Sequence, residues 1–79
     1  MNEINKHRAD IDVIDAKLLR LLNRRARVAV QIGKLKQHAG VSYYDPDRER
    51  AIVAGLCRLH TGPMDETAIK KIFGTIIHE

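Results

Sequence analysis

Two basic residues, Arg25 and Lys36, are the first candidates for chemistry in this sequence. Arg25 interrupts an aliphatic seam at a position where a leucine would pack better, and Lys36 follows eleven positions later. On a helix, eleven residues make roughly 1,100° of turn, so the two side chains lie within about 20° of one face and about 16 Å apart. This spacing leaves room for a small polyanion between the two cations.

A third cation, Arg8, lies seventeen positions before Arg25. On the same helix that separation is about 25 Å, with a rotation of roughly 100°, so Arg8 cannot join the site from its own chain. In an antiparallel dimer, however, the start of one long helix lies beside the later part of its partner. We therefore expect Arg8 of one subunit to close the site of the other.

The segment "YYDPDRERA" adds acids to these cations. Asp45 and Glu49 are four positions apart and share a helical face, with Arg48 beside them. If this segment folds back after its short loop, the three side chains come close to the region 33–36. Several cations with one or two carboxylates suit a compact dicarboxylate that also carries a hydroxyl.

One long helix must position the three cations Arg8, Arg25 and Lys36. Between about Ile4 and His38 there is no proline, and Gly40 is a plausible C-terminal stop. Apolar residues recur at helical spacings of three and four, apart from the step at Arg25. They are Ile11, Ile14, Leu18, Leu21, Val28, Ile32 and Leu35.

Two shorter helices are predicted to follow. The second begins at Pro46 with Asp45 as its N-cap and runs to about His60. Asp65 caps the third. The residues predicted to face inward from the second helix are Ile52, Leu56 and Leu59, and those on the apolar face of the third are Ile69, Ile72, Phe73, Ile76 and Ile77. The predicted fold class is all-α, with one long and two short helices.

Length and composition narrow the class of protein. A chain of 79 residues is one domain at most, and its net charge of +4 implies an anionic partner. The lone Cys57 and four histidines without metal-ligand spacing predict no metal site. No apolar run has the length of a membrane span, and the charged N-terminal segment lacks the apolar centre of a signal peptide, so we expect a soluble cytoplasmic protein without membrane contact.

The long helix also predicts the assembly. About 35 residues at ~1.5 Å each make a rod of roughly 52 Å, while a compact chain of this length has a radius of gyration of only about 12 Å. The chain cannot cover such a rod by itself. A second copy is the simplest cover, so we expect an intertwined homodimer.

These residues, in this order, resemble the all-helical, type II class of chorismate mutase, the enzyme domain that converts chorismate to prephenate. The resemblance extends over essentially the whole chain. It rests on Arg8 and on the collinear segments "IDAKLLRLLNRR", "GKLK", "DPDRER" and "IFGTII". It implies a domain-swapped dimer of three-helix subunits with two equivalent sites, an isomerase activity in the biosynthesis of phenylalanine and tyrosine, and no cofactor.

The resemblance also implies a role for each candidate residue. Arg8 matches an arginine contributed across the dimer, and Arg25 matches one that binds a substrate carboxylate within the subunit. Lys36 matches the lysine at the ether oxygen and a carboxylate. The remaining matches are Glu49 with the acid that holds the substrate hydroxyl, and Asp45 and Arg48 with residues that line the pocket.

One family feature lies beyond Glu79. The family carries a glutamine or glutamate on the third helix, about eleven residues after the phenylalanine matched by Phe73. We therefore expect residues 1–79 to be a chorismate mutase-like domain that either lacks the end of its third helix or forms the front part of a larger protein.

Several alternatives remain open from the sequence. The same pocket could serve lysis of isochorismate to salicylate and pyruvate, or rearrangement of an amino analogue of chorismate. A non-catalytic dimerisation or regulatory domain on the same fold is a third possibility. A nucleic-acid-binding module fits the charge, but the sequence shows no helix-turn-helix spacing or aromatic platform, and its cations follow a core seam rather than one outer face.

Overall fold

The structure, a computed structural model, describes residues 2–42, 45–59 and 62–78. These ranges contain three helices and no strand: α1 is Asn2–Ala39, α2 is Pro46–Leu59 and α3 is Glu66–His78. The predicted all-α class with one long and two short helices is confirmed. The long helix begins two residues earlier and ends one residue later than predicted, and the predicted end of the second helix, His60, lies outside the described residues.

The end of α1 follows from a glycine. Gly40 has φ of 69°, a left-handed conformation in which a side chain would be strained. Its N–H donates to the carbonyl of Gln37 at 3.2 Å, and the next N–H, from Val41, donates to the carbonyl of Lys36 at 2.8 Å. This pair of bonds is the Schellman motif, so Gly40 ends α1 as the sequence predicts.

Aspartates begin the two shorter helices. The Asp45 carboxylate accepts the N–H of Arg48 at 3.0 Å, and the Asp65 carboxylate accepts the N–H of Ala68 at 2.8 Å. Each bond satisfies a backbone donor that the first helical turn leaves without an intrahelical partner. Both predicted N-caps are confirmed, and Pro46 is the first residue of α2.

The chain divides into two compact units, Met1–Leu35 and Lys36–Glu79. In the second unit α2 packs against α3, and Ile69 is buried with 4% of its surface exposed. The half-buried apolar residues of this unit include Ile52, Val53, Leu56, Cys57, Ala68, Phe73, Ile76 and Ile77.

Two side chains of the second unit are more exposed than the predicted apolar faces suggest. Leu59, predicted to face inward, is 73% exposed, and Ile72 is 44% exposed. Leu59 is the last residue of α2, so no following helical turn covers it. Periodicity identified its face but could not show where the helix would stop.

The first unit consists of helix, and none of its described residues is buried. Its large aliphatic side chains are 38% to 69% exposed. The prediction that the chain cannot bury its own long seam concerns these residues, and it stays a prediction. They are Ile4, Ile11, Val13, Ile14, Leu18, Leu19, Leu21, Leu22, Val28, Val30, Ile32 and Leu35.

Candidate functional site

The first turn of α2 holds three predicted site residues in fixed relation. Asp45 caps this turn through its carboxylate, and its carbonyl accepts the N–H of Glu49 at 3.1 Å. Arg48 donates its backbone N–H to the Asp45 carboxylate, which leaves the guanidinium free to bind elsewhere. Local hydrogen bonds therefore place two carboxylates and one guanidinium on a single helical turn.

The side chain of Glu49 is less exposed to solvent than that of Asp45. The Glu49 side chain is 31% exposed, and its Oε2 lies 3.5 Å from Nε2 of His78, the last residue of α3. Glu49 stands in the first turn of α2, where the positive end of the helix dipole favours an anion, and His78 stands at the negative end of α3, which favours a cation. Both helix termini therefore favour the charged form of this pair, in which His78 is protonated.

Sequence reasoning missed His78, because it searched the histidines for metal-ligand spacing. The two members of the pair are 29 positions apart and share no local pattern. A topological signal was present: two helices joined by a short connection pack antiparallel, so the end of α3 lies beside the start of α2. That rule brings the C-terminal turn of α3 to Glu49.

A cleft of about 710 Å³ lies along α2 and α3. The apolar residues that line this cleft are small or aliphatic. Glu49 and His78 also line the cleft. The apolar lining residues are Val53, Ala54, Cys57, Gly74 and Ile77, and the other lining residues are Glu49, Arg50, Arg58, Glu66, Lys70 and His78. Such a cleft can receive an apolar helix surface flanked by charges of both signs.

The predicted cations of α1 differ in exposure. Arg25 and Lys36 are half-buried, as is Gly33, whereas the other described residues of α1, Arg8 included, are exposed. Lys36 lies in the last turns of α1, where its carbonyl takes part in the helix-ending motif. Arg8 and Arg25 belong to the first unit and Lys36 to the second, so their convergence with Glu49 stays a prediction.

Metal chemistry was not predicted from the sequence. Among residues 2–42, 45–59 and 62–78, no group of three or more His, Cys, Asp or Glu side chains could hold a metal ion. Within the same ranges, no helix has both the length and the apolar character needed to cross a membrane.

Fold and site together define an all-helical protein with one long cationic helix and a capped helical pair that carries acids. The family described as chorismate mutase type II matches residues 7–79. The chain belongs to this family. The resemblance inferred from its sequence motifs is therefore confirmed.

A solved structure extends this match to three dimensions. Chorismate mutase from Thermus thermophilus (form I) has a TM-score of 0.94 and 34% sequence identity, over 96% of this chain and 95% of that chain. The three-helix fold is therefore that of a known chorismate mutase.

Two curated relatives with different names are similar to this chain. A bifunctional chorismate mutase/prephenate dehydratase from Neisseria gonorrhoeae is 41% identical over 73 residues, which cover 92% of this chain and 20% of that protein. A 4-amino-4-deoxychorismate mutase from Streptomyces venezuelae is 29% identical over 79 residues, covering 99% of this chain and 77% of that protein. The chain thus spans about a fifth of the bifunctional relative.

Proposed function

We propose that this chain catalyses the rearrangement of chorismate to prephenate, an isomerase reaction of aromatic amino-acid biosynthesis. The observation that carries the proposal is the match to the Thermus thermophilus chorismate mutase, at 34% identity over 95% of that chain. All six predicted site residues lie within the segment 7–79 that matches the family. We assign the reaction to the cytoplasm, as the sequence predicts.

The reaction itself limits what the protein must supply. One carbon–oxygen bond breaks as one carbon–carbon bond forms, in a single concerted step, so no nucleophile is needed. The enzyme must select a compact substrate conformer and stabilise the charge that develops on the ether oxygen. In our proposal Arg25 and the partner's Arg8 bind the two substrate carboxylates through their guanidinium forks, which lowers the entropic part of the barrier.

Lys36 and Glu49 act on the two other oxygens of the substrate. Lys36 donates to the ether oxygen, where a preorganised cation stabilises the transition state more than the ground state. Glu49 accepts a hydrogen bond from the substrate hydroxyl. Asp45 and Arg48 line the same pocket. In support, Lys36 and Glu49 are both half-buried, and charges withdrawn from water interact more strongly.

We further propose that two chains form an intertwined homodimer and share their sites. The support is the run of aliphatic residues along α1, none of which is buried in the described part of the chain. Leaving a continuous apolar seam in water is unfavourable, at about 25 cal/mol for each Å². Pairing of two α1 helices removes this seam from water in both copies.

The cleft along α2 and α3 gives the second copy a further place to bind. Its small and aliphatic lining residues, such as Ala54, Gly74 and Ile77, suit the aliphatic side chains of another α1 helix. The basic and acidic lining residues match a helix that carries both charges. We therefore assign the α1 helix of a partner chain to this cleft.

An assay with product identification tests the activity. We expect the purified chain to convert chorismate to prephenate, and Lys36→Ala to reduce kcat by about 100- to 1,000-fold, the usual cost of losing one transition-state donor. Lys34→Ala is the matched control, because Lys34 is exposed two positions away on another face of α1. Its activity should stay close to wild type.

The products separate the alternatives. Salicylate and pyruvate from isochorismate would instead identify a lyase, and faster turnover of the amino analogue would identify an aminodeoxychorismate mutase. A folded dimer that turns over none of these substrates would be a non-catalytic dimerisation or regulatory domain. Equal activity of the Lys36→Ala and Lys34→Ala variants would contradict the role of Lys36.

A further inference from the structure

We propose that His78, through its contact with Glu49, makes this chain favour a neutral hydroxyl over a charged amine at the substrate position that Glu49 binds. This inference rests on the proposed function, in which Glu49 holds the hydroxyl of chorismate. It assigns His78 as a positioning and specificity-determining residue. It also bears on the two relatives reported above, one named for chorismate and the other for its 4-amino analogue.

The geometry leaves room for both His78 and substrate on the same carboxylate. His78 approaches Oε2 of Glu49 at 3.5 Å, an ion-pair distance. A carboxylate has two oxygens and about four lone-pair positions, so Oε1 remains available as an acceptor. Holding one oxygen restricts the rotation of the side chain and leaves the other oxygen to bind substrate.

The charge of the pair then decides which substrate group binds well. A hydroxyl donates one hydrogen bond and carries no charge, so the imidazolium that His78 forms when it is protonated costs this hydroxyl little. A primary amine is protonated at neutral pH, and its main attraction to Glu49 is Coulombic. In its protonated form His78 is a second cation on the carboxylate, which weakens that attraction and adds repulsion. The charged imidazole therefore discriminates against the amine.

Solvent limits the size of this effect. The side chain of His78 is 66% exposed, so water and salt screen its interaction with Glu49. Exposed ion pairs are weak, and the corresponding change in substrate preference is about two- to fivefold. Arg50, Arg58, Glu66 and Lys70 also line the cleft and form a charge background that substitution of His78 leaves unchanged.

The measured quantity is the ratio of kcat/KM for chorismate to kcat/KM for 4-amino-4-deoxychorismate. Where turnover of the amine is too slow, the inhibition constant of the amine divided by KM for chorismate is used in place of this ratio. Because both substrates are tested on one preparation, partial loss of folded protein cancels from the ratio. Four forms are compared: wild type, His78→Leu, His78→Gln and His78→Lys.

We expect His78→Leu and His78→Gln to lower the ratio about two- to fivefold. His78→Lys supplies a permanent cation and should keep the ratio at or above that of wild type. Lys71→Gln is the matched control, because it removes a charge from the exposed surface of α3 outside the cleft lining. It should leave the ratio unchanged.

A second measurement tests whether His78 acts through Glu49. In a Glu49→Gln background, His78→Leu should no longer change the ratio, whereas a purely structural role for His78 would persist there. An unchanged ratio in both His78→Leu and His78→Gln, with wild-type helicity by circular dichroism, would overturn the inference and leave the proposed function intact. A wild-type chain that turns over neither substrate would overturn both.

Discussion

The two units of this chain differ in how they bury their apolar side chains. In the second unit α2 packs against α3 around Ile69, which is buried, and each helix begins with an aspartate cap. In the first unit the helix leaves its aliphatic residues exposed and carries the cations Arg8 and Arg25. The helical pair packs its apolar residues within its own unit, whereas we propose that the long helix packs its apolar residues against a partner chain. The shared site we propose forms where the two chains meet.

The largest expected effect tests whether the first unit serves the partner's site. Arg8→Ala and Arg25→Ala should each reduce kcat/KM by about 100-fold or more. After subunit exchange, half of the dimers are mixed and each has one intact site, so activity should recover to about a quarter of wild type. Turnover is measured before and after mixing.

Arg24→Ala is the control for the mixing experiment, because Arg24 is an exposed neighbour of Arg25. This variant should retain nearly full activity alone. If the mixture of Arg8→Ala and Arg25→Ala stays inactive although exchange is demonstrated, both arginines act within one chain, and the first unit does not serve its partner.

The next effect concerns assembly. Leu18 is 51% exposed on the seam of α1, and burying one leucine is worth about 1.5 kcal/mol or more. A symmetric dimer loses this contact twice, so Leu18→Glu should weaken dimerisation at least about 100-fold. Sedimentation at several concentrations measures the change.

Lys17→Glu is the control, since it changes charge beside Leu18 at an exposed position off the seam. Its dimer should remain close to wild type in stability. A wild-type chain that sediments as a stable helical monomer at micromolar concentration would disprove the dimer.

A smaller effect tests the end of α1. Gly40 has φ of 69°, so Gly40→Ala places a side chain in the left-handed region and should lower the free energy of unfolding by about 1–2 kcal/mol. Gly62 has open space around its Cβ position and no positive φ, so Gly62→Ala should be nearly neutral. Urea unfolding at one fixed protein concentration compares them. Equal losses of unfolding free energy in the two variants would mean that the backbone at residue 40 adopts another conformation, one that accepts a side chain.

The smallest effect separates the two caps. Asp45→Ala and Asp65→Ala should each lower the free energy of unfolding by about 1 kcal/mol. Asp45 also lies on the turn that carries Glu49, so its loss should in addition raise KM for chorismate, while Asp65→Ala should leave KM unchanged. Urea unfolding and steady-state kinetics test this pair. A higher KM in the Asp65 variant would show that the whole α2–α3 pair, rather than one turn, controls binding.

Most of the secondary structure could be predicted because its determinants are local. Asp45 and Asp65 accept hydrogen bonds from residues three positions later, and Gly40 ends α1 through the two residues around it. The proposed roles of Arg25 and Lys36 came from helical spacing together with the family resemblance. Their half-buried state agrees with that interpretation.

The sequence by itself therefore determined three helices, their caps, the family and a long apolar seam along α1, since each depends on neighbouring residues or on a repeating period. Only the tertiary structure decided that His78 meets Glu49, that a cleft runs along α2 and α3, and that Leu59 stays in water. These features depend on how two helices pack and where one stops. Residues far apart in sequence meet through that packing, which no local pattern encodes.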